Sequence, residues 1–169
     1  RVRTYIAEKP SVADELFGEQ LAALDGGDPF GQGRFAAFIG HLGDERGIQV
    51  LQMWSKSPIE RVAVLSVLAR IRLRDTTAYA AGVRLLQHPS MAVQLDVLDA
   101  LSPVLKDADA IDSVVKLLDS PKYRIRQRAV TALGRVSDKP PSIREALERL
   151  LASDSDGFLQ GDILQALGR

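Results

Sequence analysis

Asp119-Ser120-Pro121-Lys122-Tyr123-Arg124-Ile125-Arg126-Gln127-Arg128-Ala129-Val130-Thr131-Ala132-Leu133-Gly134-Arg135-Val136 is the stretch that decides the fold. Ser120-Pro121 is a turn signal, and Pro121 suits the first helical position, where its missing N–H costs nothing. Ile125, Ala129, Ala132, Leu133 and Val136 then recur at helical spacing on one face. The end of this helix, Ala132-Leu133-Gly134-Arg135, returns unchanged as Ala166-Leu167-Gly168-Arg169. A chain that restates a helix end in this way is built from repeated units.

Working outward, the same punctuation recurs. Asp25-Gly26-Gly27-Asp28-Pro29 is the clearest loop, and it leads into a helix over Phe30 to Leu42 with Phe35, Phe38, Ile39 and Leu42 inward. A second helix over Asp44 to Trp54 turns Ile48, Leu51 and Trp54 inward. Pro58, Pro89 and Pro121 each open a further helix pair. Pro58 leads to Val64, Leu65, Val67, Leu68 and Ile71, then to Tyr79, Gly82, Val83 and Leu86 after Asp75. Pro89 leads to Val93, Val97, Leu98 and Leu101, then to Ile111, Val114, Val115 and Leu118; Pro103 should end or kink the first helix of that pair. The pair after Pro121 closes with a helix from Pro141 carrying Ile143, Ala146, Leu147 and Leu150. Asp154-Ser155-Asp156-Gly157 leads to a last helix pattern that stops at Arg169 without a cap. Upstream, Arg1 to Glu8 reads as a helix tail, and Ser11 caps a helix over Val12 to Leu24.

Aligned on the apolar residue before each helix end, the first helices match at Ile39, Leu68, Leu101, Leu133 and Leu167, with steps of 29, 33, 32 and 34 residues. A step back of 33 from Ile39 reaches Ile6, so the opening fragment fits the same register. A period near 30 with two helices per unit predicts a solenoid, in which each unit buries its apolar face against its neighbours. The expectation is an all-α superhelix of about four helical-hairpin repeats plus partial units at both ends. It would form one domain over residues 1–169, a piece of a longer chain.

The residues Ile125-Arg126, Ala129 and Ala132-Leu133-Gly134, with Arg61 and Phe38-Ile39-Gly40 in part, resemble the short bacterial form of HEAT repeats. In that form an aspartate-rich turn precedes Val-Arg-x-x-Ala-x-x-Ala-Leu-Gly. The third repeat departs most: Gln94 stands at the arginine position and Ser102-Pro103 replaces the glycine. The resemblance implies a HEAT-like α-α superhelix and a binding role.

Composition narrows the function. The 22 basic and 22 acidic residues balance, where a phosphate-binding surface needs a basic excess. The absence of cysteine excludes disulfides, thiolate metal sites and cysteine nucleophiles. No apolar run is long enough to span a membrane, and no signal peptide pattern is present. Tyr5-Ile6-Ala7-Glu8-Lys9-Pro10-Ser11 is similar to the start of type IA topoisomerases, but the Asp-x-Asp-x-x-x-Glu motif that chemistry requires does not follow. His41 and His88 have no acidic residue at metal-motif spacing, which points to capping or surface roles. No serine lies in a nucleophile elbow. The expectation is therefore no catalytic set, no cofactor and no metal.

Two arginine runs stand out. Arg124, Arg126, Arg128 and Arg135 form the densest, and Arg70, Arg72 and Arg74 the other, with Asp75 beside it. The functional reading is a contact to phosphate or to an acidic peptide, as in HEAT-like DNA glycosylases; the alternative is that Arg126 bridges to carboxylates or carbonyls in the adjoining repeat and the rest are solvated. Trp54 aligns with core leucines, which favours packing over service as an interface anchor. The outward positions of the second helices are Gln49, Gln52, Arg84, Gln87, Asp112, Lys116, Arg144 and Glu148. Asp112/Lys116 and Arg144/Glu148 are opposite charges four residues apart. In a HEAT stack these helices line the concave face, and mixed charge there suits a protein partner.

The functional expectation is thus a non-catalytic scaffold or adaptor in the cytoplasm. It would bind another protein or another domain of its own chain, with no nucleic acid and no membrane as partner. The alternative is an accessory domain of a larger enzyme. Asp28-Pro29-Phe30 and Pro121-Lys122-Tyr123-Arg124-Ile125-Arg126 are similar to HEAT-like C-terminal domains of zinc-dependent aminopeptidases. A phycobilin lyase, which shares the short repeat, is the third reading.

Overall fold

Ile39, Leu68, Leu101, Leu133 and Leu167 are all buried in the computed structural model of the protein, so the register read from their spacing holds. The structure describes Gly18 and residues 28–42, 45–153, 157 and 159–168. The expected helices over Arg1 to Glu8 and Val12 to Leu24, the cap at Ser11 and the turn at Asp154 to Asp156 lie outside the described residues. Among those residues there are nine α-helices and no strand. They are α1 (Pro29–Leu42), α2 (Ile48–Trp54), α3 (Glu60–Arg72), α4 (Tyr79–Leu85), α5 (Met91–Leu101), α6 (Ala108–Val115), α7 (Tyr123–Gly134), α8 (Pro141–Ser153) and α9 (Gln160–Leu167).

The helices gather into two compact groups, up to Asp75 and from Thr76 onward. In the first, α1 and α2 both pack on α3. Its core joins Phe35, Ala36, Ile39, Leu51, Ala69 and Leu73, with Ile48, Trp54 and Leu65 against them. Trp54 meets Phe35 edge-on at 6.1 Å, so it is a core residue as its alignment with leucines predicts. Phe38 does not go inward as expected: it stacks on Phe35 at 6.5 Å but stays exposed, because Phe35 and Trp54 already fill the space beneath α1. Gly40 sets the distance between α1 and α3, since a Cβ there would lie 2.7 Å from the Cα of Ala69.

In the second group, α5, α7 and α9 form one layer and α4, α6 and α8 another. Each second-layer helix packs on the first-layer helix that follows it: α4 on α5, α6 on α7 and α8 on α9. Ile111, Val114, Ile143, Ala146, Leu147 and Leu150 bury the inner side of α6 and α8. Pro103 does end α5, which stops at Leu101 and tightens into a 3-10 turn over Ser102–Val104.

The proline turns follow one rule. Asp28, Ser57, His88 and Ser120 each precede a proline, and each side chain accepts a hydrogen bond from the N–H two residues on. The distances are 3.1 Å to Phe30, 3.2 Å to Ile59, 3.0 Å to Ser90 and 3.3 Å to Lys122. Proline keeps the preceding residue out of the helical region, and the short polar side chain then satisfies a donor that the coming helix leaves unpaired. This corrects the placement of Pro121: α7 starts at Tyr123 after an extended Lys122, so the proline lies in the turn and not at the first helical position. Pro29 and Pro141 do occupy first positions.

The end of α3 is fixed from inside. Arg74 takes φ 62°, and the N–H groups of Arg74 and Asp75 donate to the carbonyls of Ile71 and Arg70 at 2.9 Å each. That is a Schellman ending with arginine where glycine is usual. Beneath it Arg70 is 8% exposed and pairs with Asp75 at 2.8 Å, while its Nη1 donates to Ser55 Oγ at 3.1 Å. Arg70 is therefore not part of a surface patch, whereas Arg74 is exposed. At the other end of the chain, α9 is capped after all, by Gly168 at φ 76°.

Candidate functional site

The outward side of the second-layer helices is where the sequence placed its candidate residues. Within the second group, Arg84 on α4, Gln87 just after it, Asp112 on α6, Lys116 at its end and Arg144 on α8 are all exposed. Glu148 on α8 is half-buried. These six residues come together on one layer of three neighbouring helices, because burial of the apolar side of each helix forces the other side into water. Gln49 and Gln52 are exposed on α2, in the first group. Asp112 and Lys116 do not form the ion pair that their spacing suggested. The α-helix ends at Val115, and Lys116 opens a 3-10 turn whose tighter winding takes it off the i,i+4 line. Both side chains are exposed.

Most arginines of the run from Arg124 to Arg135 have partners within the protein, although only Arg126 is partly buried. Arg126 Nη1 donates to the carbonyl of Ser120 at 2.8 Å, which fastens the proline turn to the helix it opens. Arg128 pairs with Asp99 of α5 at 2.7 Å, and Arg135 Nη1 lies 3.5 Å from Ser102 Oγ. Arg124 is exposed. Gln94, the residue at the arginine position of the third repeat, makes a comparable tether two residues further back: its Nε2 donates to the carbonyl of Leu86 at 2.8 Å. An amide can therefore stand in for the guanidinium, although Gln94 Oε1 is buried without a partner.

Both histidines serve the backbone. His41 Nδ1 donates to the carbonyl of Ala37 at 2.8 Å in the last turn of α1, and His88 is the acceptor of its proline turn. Among the described residues no group of three acidic or histidine side chains gathers where a metal ion could be held. No described helix is long and apolar enough to cross a membrane.

The layered helices, their buried leucine register and their proline turns recur unit by unit, and a family model described as HEAT repeats matches residues 84–168, half of the chain. The chain belongs to the HEAT-repeat family. The matched stretch runs from Arg84 on α4 to Gly168, so six of the eight candidate residues lie within it: Arg84, Gln87, Asp112, Lys116, Arg144 and Glu148. HEAT repeats generally mediate protein–protein interaction, and proteins built from them are typically non-catalytic. A comparison with curated proteins gives no significant match to the chain.

Sequence reasoning missed three features of the site's surroundings. It did not see that Arg70 turns inward, that Gln94 makes a tether comparable to the arginine's, or that a polar acceptor precedes every repeat-opening proline. The last was visible: Asp, Ser, His and Ser stand directly before Pro29, Pro58, Pro89 and Pro121.

Proposed function

We propose that this chain is a non-catalytic scaffold that binds another protein, or another domain of its own chain, through the outward side of α4, α6 and α8. The observation that carries the reading is the exposure of Arg84, Gln87, Asp112, Lys116 and Arg144 on one helical layer. A fixed layer presents both charges and amides without ordering cost, which suits a folded protein surface of mixed polarity. Gln49 and Gln52 of α2 offer amides of the same kind. No cofactor or metal enters this reading, and its partner is neither nucleic acid nor membrane.

The test compares proteins retained from a source lysate by immobilised wild type and by the charge-reversed Arg84→Glu/Lys116→Glu/Arg144→Glu variant. Asp96→Lys on α5 serves as the control for a change of charge elsewhere. The reading expects a partner held by wild type and by Asp96→Lys but lost by the triple variant. An identical retained set in all three would refute it.

A further inference from the structure

Phe30, the second residue of α1, leaves 57% of its surface exposed although it is a large apolar side chain. Two guanidinium groups stand over its ring: Arg34 Cζ is 6.0 Å and Arg61 Cζ 5.4 Å from the ring centroid. Arg34 lies one turn further along α1, and Arg61 belongs to the first turn of α3, on which α1 packs. The two helices approach closely here, for a Cβ on Gly33 would stand 3.1 Å from Leu65 Cδ1. The ring quadrupole attracts both cations and so holds them near one another against their mutual repulsion.

Both arginines are exposed, and neither makes an ion pair among the described residues. Asp28, the acid just before α1, is already engaged: its carboxylate oxygens accept from the N–H groups of Phe30 at 3.1 Å and Gly31 at 2.9 Å. A chain with no net charge thus gathers two positive groups around an exposed ring, and among the described residues neither is held in an ion pair.

We propose that Phe30, Arg34 and Arg61 form a docking point for an acidic segment of a partner protein. A carboxylate side chain of the segment meets the guanidiniums, and an apolar side chain beside it lies on the Phe30 ring. Charge complementarity supports this choice of occupant. A guanidinium can hold a carboxylate through its planar fork while its face rests on an aromatic ring. The point uses residues of α1 and α3 and none of those assigned to α4, α6 and α8, and does not depend on their role.

The experiment is fluorescence anisotropy with a labelled peptide of alternating glutamate and tryptophan, its glutamine–tryptophan counterpart, and a labelled single-stranded oligonucleotide. The acidic peptide should bind wild type about tenfold or more tighter than the glutamine peptide, and Arg34→Gln/Arg61→Gln should remove that preference. Phe30→Ala should weaken the acidic peptide about threefold or more, while Lys106→Gln, at an exposed residue outside both surfaces, leaves it unchanged. Circular dichroism checks folding; if the double variant loses helicity, Arg61→Gln alone is read in its place, with the same direction expected. The proposal is overturned by undetectable binding of the acidic peptide, by equal binding of both peptides, or by indifference to the arginine changes. Tighter binding of the oligonucleotide, lost in the same variants, overturns it in favour of a phosphate-bearing partner.

Discussion

Gly134 of α7 and Ala166 of α9 touch so closely that a Cβ built on the glycine would stand 3.0 Å from the alanine's Cβ and 3.2 Å from its Cα. The contact sets the spacing of two neighbouring first-layer helices. Gly168, the same position of the repeated tetrapeptide, is glycine for a different reason: it caps α9 at a φ of 76° with open space around it. Gly134→Ala gains about 1 kcal/mol of helix propensity but forces an overlap costing about 1–3 kcal/mol, so a net loss near 1 kcal/mol is expected. A double-mutant cycle with Ala166→Gly, followed by urea melting, should show coupling of about 1 kcal/mol. Additive effects would mean that the two helices do not meet there.

Arg74 holds φ 62° at the end of α3, a conformation that costs a residue with a Cβ about 1–2 kcal/mol. Its side chain is exposed, so little packing is lost on replacement. Arg74→Gly should therefore stabilise the protein by about 0.5–1 kcal/mol, the gain being reduced by the greater freedom of glycine in the unfolded chain. A lower urea midpoint in the variant would contradict the left-handed ending.

Leu133 is fully buried on α7, whereas Arg84 is exposed on α4. Leu133→Ala should cost roughly 2–5 kcal/mol through lost burial and the cavity left behind. Arg84→Ala should stay within about 0.5 kcal/mol of wild type. The same urea melts measure both, and a small loss at Leu133 would put the repeat register in error.

Duplex DNA should bind weakly and only at low salt. Arg128 is engaged with Asp99 and Arg126 with a carbonyl, which leaves Arg124 as the ready contact on α7. Each neutralised phosphate adds about 0.9 to the slope of log affinity against log salt, so Arg124 with Arg128 gives a slope of about 2 at most. Anisotropy at low and physiological ionic strength checks this. Submicromolar affinity that survives physiological salt and disappears in Arg124→Ala/Arg128→Ala would displace the protein-binding proposal.

How much was legible varies with the kind of physics involved. Repeat register was legible because Ile39, Leu68, Leu101, Leu133 and Leu167 recur with the period of the unit, and burial follows period directly. The outward candidates were legible for the complementary reason: Arg84, Asp112 and Arg144 follow from fixing which side of each helix is apolar. Contacts between units were not, since no local rule says which distant atom a side chain meets. Arg70 reads like any other member of a basic run until the fold sets Asp75 and Ser55 around it. Phe38 has the spacing of a core residue and remains outside because Phe35 and Trp54 occupy the space first. Periodicity by itself thus determined the helices, their inner faces and the repeat. Only the tertiary structure decided which charges are engaged by Asp99, Ser120 and Asp75 and which, like Arg34 and Arg61, gather at the Phe30 ring, because electrostatic pairing depends on distances that the folded backbone alone creates.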